Sequence, residues 1–540
     1  MTPGVTPPSL AEVARAFIAV LGPEALLEFS LTDLDTVGMP VWSTWWSDPD
    51  DPAGGGTGGI GYGPTPERAR VGALGECIEH VCAARALVGA ATERGSLSEM
   101  LRRHGTDGVV DPRRLGMPAG GTFDDDTPLV WLPMVRLSNH EQVFVPAEFV
   151  ASAGSELPIE APPGGWLTTP VSNGLGAGSS LAQAISHAVL EIVQRDGNGL
   201  EFRAMDAGRI LDLSGVTDPE TIATLAMLEA AGVEVLAKIA STDFGMANID
   251  VVGAAPGDDI LSATACGEAV HPDREVALRK AVLEFANARP RKQLMHGPLG
   301  AVLRVAPEGY QDVVDAMDPA AEEPRVLEAM LDWLSMPTST WRPLIDSTVL
   351  RRVETVPFTD LATRTPTSSD DLLADVVSRL DAEGFDVLYR DLSPAAAGVH
   401  AVKVVVPGME VETVAYHRIG ERNAARLLAK GRDDLVRLGD EPDGWLRIHL
   451  TSNGRDRLGG QAWLDGDALR SVAAGLLPLY REPSRHTAQK VRQKFAAGVP
   501  MAARRRTPGR DGPSDGGASD AGGADHGGGS AAGAVGSQPL

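Results

Sequence analysis

The sequence predicts a fold that mixes α-helices and β-strands, of the α/β or α+β class. Helix-like and strand-like segments alternate from residue 32 to about residue 495, as expected of enzymes in these classes. The chain has 540 residues, 43% of them hydrophobic, which is enough for packed subdomains with substantial cores. Three separate segments also share one helical residue pattern, and this repetition is the most informative feature.

The repeated pattern is a helix-capping residue, alanine four and eight positions later, glutamate three further on, and an acid or amide three beyond that. Steps of four and three keep these side chains on one helix face. Because alanine allows close backbone approach, we expect each face to carry its carboxylates beside a packed seam. The copies are Thr65, Ala69, Ala73, Glu76 and Glu79; Ser180, Ala184, Ala188, Glu191 and Gln194; and Asp273, Ala277, Ala281, Glu284 and Asn287.

Each copy begins with a helix start signal. Pro66 follows the cap Thr65 at the first helical position, where a missing N–H costs nothing. Ser180 with Gln183 predicts a capping box, and Asp273 is an acidic cap.

The acidic faces indicate a metal or ligand site. Clustered carboxylates without nearby lysines must be neutralised, and Mg²⁺ suits them because it binds one or two carboxylates together with substrate phosphates. The amides of Gln194 and Asn287 could then contact ligand groups without adding charge. Three unrelated amphipathic helices are the alternative, since Ala and Glu are common in helices.

A glycine-rich segment, residues 172–179 (SNGLGAGS), precedes the second helix. Glycines here permit close approach of a ligand to backbone N–H groups at a helix N-terminus, which is a potential anion site; a structural turn is the alternative. Residues 168–171 (TTPV) make a poor strand, so a dinucleotide-binding fold is not predicted. Another glycine-rich stretch, residues 54–59, is expected to be a flexible loop.

Composition excludes several functions. The formal net charge of -25 argues against a nucleic-acid or anionic-membrane surface, because such a charge repels phosphate. No apolar run is long enough to span a bilayer, and no secretory signal pattern is present at the N-terminus. We therefore expect a cytoplasmic protein. Cys77 and Cys82 lack the spacing of a metal site, and we expect them to be small buried hydrophobes.

Four segments are predicted along the chain. Residues 1–31 form an amphipathic helix and a connection, and residues 32–425 form the main domain. Residues 426–496 are a helical and β extension of unknown role. Residues 497–540 contain an Arg run followed by Gly, Ser, Ala and Asp, and we expect a disordered tail.

These residues together resemble the YcaO family. The similarity covers most of residues 32–425, and its most specific part is SNGLGAGSSLAQAISHAVLEIVQRD at residues 172–196. Other matching segments are GALGECIEH in the first helix, residues 271–289, and VVVPGME, and the match ends near Arg422. The resemblance implies an α+β, YcaO-like fold with acidic helices packed around ATP and Mg²⁺. It also implies activation of a peptide backbone amide by phosphorylation of its oxygen.

The resemblance assigns site residues position by position. Glu76, Glu79 and Glu191 match the acids that coordinate metal, and Arg195 and Arg289 match basic residues on the phosphate side. The full set expected to bind the cofactor is Glu76, Glu79, Glu191, Gln194, Arg195, Glu284, Arg289 and Arg422. No catalytic side chain is assigned.

Four positions depart from the family pattern. Tyr62 stands between two glycines where the family has Lys, Gly72 replaces Ser, His80 replaces Arg, and Asn287 replaces Gln. His80 is either an ordinary helix-surface histidine or a titratable replacement for the arginine. These changes remove two cations and one hydroxyl from the expected nucleotide site.

Two hypotheses about function follow. In the first, the chain is an ATP-dependent YcaO enzyme that forms azolines, thioamides or amidines in a ribosomally made peptide natural product. The second is a degenerate YcaO protein that acts as a scaffold, a peptide-binding subunit or the partner of an active homologue. The resemblance implies a precursor peptide as substrate and a peptide-delivering or TfuA-like partner, and a homodimer is possible. The sequence does not predict which product forms.

Overall fold

The computed structural model describes residues 8–496, except 52–53, 55, 201–202 and 397. The strands of this part are β1 Leu26–Ser30, β2 Val41–Trp46, β3 Thr57–Tyr62, β4 Glu93–Gly95, β5 Leu129–Arg136, β6 Gln142–Pro146, β7 Leu175–Gly178, β8 Arg209–Asp212, β9 Glu234–Ser241, β10 Ala247–Ala254, β11 Cys266–His271, β12 Glu354–Pro357, β13 Leu388–Asp391, β14 His400–Val405, β15 Val436–Leu438, β16 Leu446–Arg447 and β17 Ala462–Leu464.

The α-helices of the same part are α1 Leu10–Leu21, α2 Pro66–Leu87, α3 Leu97–His104, α4 Ala147–Val150, α5 Leu181–Asn198, α6 Pro219–Ala230, α7 Ile260–Ala263, α8 Arg274–His296, α9 Leu299–Val305, α10 Tyr310–Ala316, α11 Pro324–Ser335, α12 Thr338–Ser347, α13 Ser369–Ala382, α14 Thr413–Tyr416, α15 Glu421–Ala429, α16 Ser452–Leu458, α17 Gly466–Ala473, α18 Leu477–Tyr480 and α19 Thr487–Ala496.

The strands form four sheets. Their orders are β1-β2-β3, β4-β5-β13-β14-β7 with β6 also on β5, β11-β10-β9-β8-β12, and β15-β17-β16. The pairing of β12 with β8 is parallel, whereas the pairings of β10 with its neighbours and of β14 with its neighbours are antiparallel. Mixed helices with largely antiparallel sheets confirm the predicted α+β class.

The three patterned helices begin where the sequence predicts. Thr65 caps α2 ahead of Pro66, and Asp273 caps α8 by accepting a hydrogen bond from Glu275 N–H. Ser180 caps α5, but the predicted capping box is displaced by one residue, because Gln183 Oε1 accepts from N–H and Oγ–H of Ser179.

Each patterned helix packs tightly on a glycine-bearing strand. A Cβ atom added to Gly61 in β3 would lie 2.1 Å from the carbonyl oxygen of Ala69, and one added to Gly267 in β11 would lie 2.1 Å from that of Ala281. The corresponding distance from Gly176 in β7 to the Ala184 carbonyl is 2.3 Å. These contacts are too short for any side chain, so glycine and alanine together confirm the predicted seam.

The three helix–strand units close into a ring. Helix α2 packs on β3 and on β7 of the second unit, α5 packs on β7 and on β11, and α8 packs on β11 and back on β3. Each of these strands stands at the end of its own sheet. The unpaired edge of the strand is therefore covered by helices of two units.

Both glycine-rich segments differ from prediction. Residues 57–59 belong to strand β3 rather than to a flexible loop, and Leu175–Gly178 is strand β7, which pairs with β14. Of the alternatives for residues 172–179, a turn is present at Asn173 and Gly174. Residues 175–178 form a strand instead, because alternate glycines allow the strand to lie against α5. Residues 168–171 form no strand, as predicted.

Three elements can be compared with the predicted segments. Helix α1 is present and buries Val13 and Phe17, but Leu26–Ser30, which we expected to be a connection, pairs with β2 as strand β1. Helix α15 crosses the boundary predicted at residues 425 and 426. The predicted tail, residues 497–540, lies outside the described residues.

Two expectations from composition agree with the structure. Cys77 and Cys82 are buried within the hydrophobic cluster around α2. Among the described residues, no helix is both long enough and apolar enough to cross a bilayer.

Candidate functional site

The first glutamate of each patterned helix is anchored in the same way. The Oε2 atom of Glu76 accepts a hydrogen bond from Ile60 N–H at 2.6 Å. Glu284 Oε2 accepts from Glu268 N–H at 2.9 Å, and Glu191 Oε2 accepts from the N–H of Gly174, just before β7, at 3.1 Å. The unpaired strand edges thus orient one carboxylate from each unit.

These three carboxylates share one buried environment. Burial raises the pKa of Glu76 to about 7, and the charge of Glu191 contributes to this increase. Burial likewise raises the pKa of Glu284 to about 8, with a contribution from the charge of Glu268. The pKa of Glu191 is also raised by burial. A cation bound among these groups would stabilise their charged forms and so offset the effect of burial on their pKa.

The second position of each helix reaches toward the next unit. Glu79 Oε1 accepts from Ala177 N–H in β7 at 3.0 Å, and Gln194 Nε2 lies 3.4 Å from Oε2 of Glu268 in β11. In the third helix, the buried Oδ1 of Asn287 has no hydrogen-bond partner in the part of the chain that is described. In the first two units, the side chain at this position therefore contacts the strand of the next unit. In the third unit, Oδ1 of Asn287 has no such hydrogen bond to a described residue.

Glu268, which the sequence analysis did not identify, is the centre of the polar network. It accepts hydrogen bonds from Asn198 Nδ2 at 2.5 Å, Arg203 Nη2 at 3.0 Å and Arg195 Nη1 at 3.4 Å. Burial alone would raise the pKa of Glu268, but the guanidinium groups of Arg203 and Arg195 outweigh it and the pKa is lowered. A charged carboxylate is therefore fixed between α5 and β11.

Two further arginines approach the acids. Arg291 pairs with Glu482 at 3.0 Å, and Arg485 lies over the ring of Trp45. The charges of both arginines offset part of the burial effect on the pKa of Glu76. Arg291 could have been recognised from its spacing, because it follows Glu284 by seven residues and so shares its helix face.

A cavity of about 100 Å³ lies beside this network. Its charged wall residues are mainly basic, in contrast to the acidic chain as a whole. They are Arg195, Arg203, Arg291, Lys292, Arg481, Glu412 and Glu482. A basic cavity next to a cluster of carboxylates can hold an anion and a cation side by side.

Glu412 forms a strained part of the cavity wall. Its φ of 65° is left-handed although it is not glycine, and its buried Oε2 atom has no hydrogen-bond partner among the described residues. Backbone strain combined with an unsatisfied carboxylate oxygen is common at functional sites.

Arg289 and Arg422 are not brought to the acid cluster. Arg289 is buried and donates to Asp35 at 3.1 Å and to Asp258 at 2.8 Å. Arg422 donates to Asp196 at 2.7 Å and to Asp243 at 2.8 Å. Because aspartates occupy both guanidinium groups, their placement does not support the predicted contact with a nucleotide.

Two of the departures from the family pattern leave neutral groups. Tyr62 is buried, and burial together with the charges of Glu284 and Glu76 raises its pKa well above the usual range. His80 is half-buried, and burial lowers its pKa to about 4. Neither side chain therefore supplies the positive charge of the residue that it replaces.

The metal ligands predicted from the sequence are not assembled into a cage. Within residues 8–496 as described, no three His, Cys, Asp or Glu side chains converge closely enough to hold a metal ion. The available donors are nevertheless carboxylate oxygens, which suit Mg²⁺, an ion that commonly completes its shell with waters and substrate phosphates.

Comparisons with known proteins are consistent with this geometry. A family profile described as YcaO cyclodehydratase, ATP- and Mg²⁺-binding, matches residues 60–410. An uncharacterised protein of Methanothermobacter thermautotrophicus is 30% identical over 432 residues, which cover 78% of this chain and 99% of that relative.

Two solved structures share the fold. One is a heterocyclase in complex with substrate and cofactor, with a TM-score of 0.57 and 16% identity, covering 79% of this chain but 56% of the heterocyclase. The other is YcaO from Methanopyrus kandleri bound with AMPPCP and Mg²⁺, with a TM-score of 0.54 and 22% identity, covering 76% of this chain and 94% of that one. Since the profile spans more than half of the sequence, the chain belongs to the YcaO family.

Proposed function

We propose that this protein is an ATP- and Mg²⁺-dependent YcaO enzyme that activates backbone amides of a ribosomally made peptide. The observation that carries the proposal is the set of three equivalent buried glutamates, Glu76, Glu191 and Glu284, each anchored by a backbone N–H in its own unit, together with a basic cavity lined by Arg195 and Arg291. Such residues can supply carboxylates to a cation and guanidinium groups to phosphates.

The acids would hold the metal. We assign Glu76, Glu79 and Glu191 to Mg²⁺, with the phosphates completing the coordination shell. Each of these carboxylates already accepts a backbone N–H at one oxygen. A carboxylate fixed in this way keeps its orientation when a cation binds.

The basic side chains would bind the phosphates. Arg195 and Arg203 are both fixed by Glu268, so their guanidinium groups are positioned before a ligand arrives. We assign Gln194, Arg195 and Glu284 to the nucleotide, and add Arg203 to this set. ATP supplies a phosphoryl group that makes an amide oxygen a leaving group, and the arginines stabilise the charge that develops. Arg289 and Arg422 instead position the surrounding elements.

The nucleophile distinguishes azoline, thioamide and amidine products, and it belongs to the substrate or to a partner. We propose a precursor peptide as substrate, presented by a peptide-delivering or TfuA-like partner in the cytoplasm. Mass spectrometry of a co-expressed precursor peptide tests this directly. Loss of water at each site indicates ring closure, and exchange of oxygen for sulfur indicates thioamidation.

Calorimetry with ATP in the presence and absence of Mg²⁺ tests the nucleotide site. We expect Mg²⁺-dependent binding, and we expect Glu76→Gln to weaken it by at least about tenfold, as loss of a metal-site carboxylate does. Glu67→Gln is the matched control, because Glu67 lies in the exposed first turn of the same helix. Equal ATP affinity in the two variants contradicts the assignment.

Specific observations also favour the degenerate alternative. Tyr62 and His80 are neutral where the family pattern has cations, and the cavity of about 100 Å³ is smaller than the ~300–1,000 Å³ typical of ligand pockets. Peptide binding without Mg²⁺-dependent ATP binding, in the chain alone and with its partner, would establish a scaffold or peptide-binding subunit.

A further inference from the structure

The chain segment that follows α18 places a buried carboxylate in the cavity wall. Glu482 accepts hydrogen bonds from Nη1 and Nη2 of Arg291 at 3.0 and 3.3 Å, and it lies 3.5 Å from Nζ of Lys292. Nε2 of His296 is also 3.5 Å from it. Because only 11% of the Glu482 side chain is exposed, it is an internal anion held by two cations of α8.

The two cations are arranged as they would be for a phosphate. Arg291 contacts both oxygens of Glu482 in the parallel, two-bond geometry with which arginine also binds phosphate. Lys292 is oriented independently of Glu482, since its Nζ donates to the carbonyl oxygen of Thr264 at 3.0 Å and lies 3.3 Å from Thr264 Oγ1. The cation pair is therefore preorganised for an anion.

This cation pair adjoins the acids assigned to the metal and nucleotide. Burial raises the pKa of Glu76 and of Glu284, and the charge of Arg291 offsets part of the rise in both. Arg291 thus lies within electrostatic reach of two of the three units. An anion bound to Arg291 would therefore be attracted by a cation that Glu76 would hold.

The cavity as it stands is small for a triphosphate. Its volume is about 100 Å³, and Glu482 forms part of its wall. A buried ion pair also contributes little net stability compared with well-packed apolar residues. The Glu482 carboxylate therefore neutralises the two cations, Arg291 and Lys292, and fills space that a phosphoryl group would need.

We propose that Arg291 and Lys292 form a subsite for a terminal phosphoryl group, and that Glu482 fills this subsite until the phosphoryl group displaces it. The inference rests on the proposed function, because it assigns the displacing anion to the same nucleotide. A phosphoryl group carries more negative charge than one carboxylate and presents more acceptor oxygens. Nucleotide binding then exchanges one anion for another instead of filling an empty pocket.

The test compares wild type with Glu482→Gln, which removes the charge and keeps the shape. Calorimetry with Mg²⁺ and AMPPCP should show binding about tenfold or more tighter in the variant, because a competing charge is gone. AMP, which lacks the terminal phosphates, should bind both proteins equally. Glu421→Gln is the matched control, since Glu421 pairs with Arg457 at the surface, and it should bind AMPPCP as wild type does.

Equal or weaker AMPPCP binding by Glu482→Gln would overturn the inference and leave the proposed function standing. No binding by either protein would overturn both. A titration with inorganic phosphate distinguishes free phosphate from nucleotide as the source of the anion. If Glu482→Gln also binds phosphate more tightly than wild type, the subsite accepts free phosphate as well. If only AMPPCP binding is tighter, the subsite belongs to the bound nucleotide. If Glu482→Gln does not fold, Glu482→Asp, which keeps the charge but shortens its reach, should show a smaller gain, and no gain would again overturn the inference.

Discussion

Arg289 and Arg291 lie two residues apart on α8 and have different environments. Arg289 is five residues beyond Glu284 and is enclosed by Asp35 and Asp258. Arg291 is seven residues beyond Glu284, pairs with Glu482, and its charge offsets part of the rise in the pKa of Glu284. Sequence resemblance selected the first arginine, whereas helical spacing selects the second. The resemblance thus points to an arginine that two aspartates enclose, and the role of Arg291 at the phosphates is our proposal.

Tyr62 offers a direct test of the nucleotide site at the residue scale. Replacing it with lysine places an ammonium group beside Glu76 and Glu284, which now raise the pKa of the phenol. We expect Tyr62→Lys to tighten Mg²⁺–ATP binding severalfold, because the added charge attracts phosphate. Calorimetry measures the change, and Tyr62→Phe, which adds no charge, serves as the control. Unchanged or weaker affinity in Tyr62→Lys would show that Tyr62 does not border the phosphates.

At the scale of elements, the unit of construction is a glycine-bearing edge strand on an alanine-bearing helix. Gly267 in β11 would place a Cβ atom 2.1 Å from both the Ala281 carbonyl oxygen and the Phe285 amide nitrogen. Neither is a flexible side chain, so the strand would have to move away from α8. That movement would also lengthen the hydrogen bond from Glu268 N–H to Glu284.

Gly267→Ala should therefore lower the free energy of unfolding by about 1–3 kcal/mol, as overpacking does. Gly257→Ala is the control, because its added Cβ would meet no atom within 4 Å. Urea unfolding of both variants measures the difference. Equal stability would contradict the tight strand–helix contact.

The sequence predicted the helices of these units better than their strands. The caps Thr65, Ser180 and Asp273 act locally, within one turn of helix, and their positions were correct. For the glycine-rich residues 172–179 the sequence left an anion site and a structural turn as alternatives and predicted no strand, since glycine weakens strands. Residues 175–178 are a strand because α5 approaches too closely for any other residue, and such a contact depends on tertiary packing.

The same distinction applies to the candidate site. Glu76, Glu191 and Glu284 follow from a periodicity that is visible within each helix. Glu482 reaches Arg291 across 191 residues of sequence, and no local pattern indicates such a contact.

At the scale of the whole molecule, several buried carboxyls make stability depend on pH. Burial raises the pKa of Glu76, Glu148 and Glu410 to about 7 and that of Glu284 to about 8. The unfolded chain releases these protons near the ordinary carboxyl pKa. The folded state therefore holds protons that the unfolded chain has released. Several buried histidines, whose pKa burial lowers, oppose this effect below the ordinary histidine pKa of about 6.5. Above that range the carboxyls dominate, and stability should fall as pH rises from about 7 to 8.

The contribution of a single buried carboxyl to this pH dependence can be measured at Glu148. Its Oε1 accepts from Leu167 N–H at 3.0 Å, and its buried Oε2 has no hydrogen-bond partner within the described part of the chain. Glu148→Gln removes the charge, so we expect it to match wild type near pH 5 and to exceed it by up to about 3 kcal/mol near pH 8. Thermal unfolding across this pH range measures the difference. An unchanged pH slope would contradict the buried, protonated state.

The closed ring of three helix–strand units limits how this architecture can change in evolution. A linear array of repeats has two ends, and it can gain or lose a unit while its terminal repeats continue to cap the stack. Here α8 of the third unit packs on β3 of the first, so no unit is terminal. Removing one would uncover two interfaces at once, and inserting a fourth would separate a helix from the strand of the next unit that it now contacts. Divergence within this ring is therefore expected to proceed by substitution at equivalent positions, with the number of units held at three.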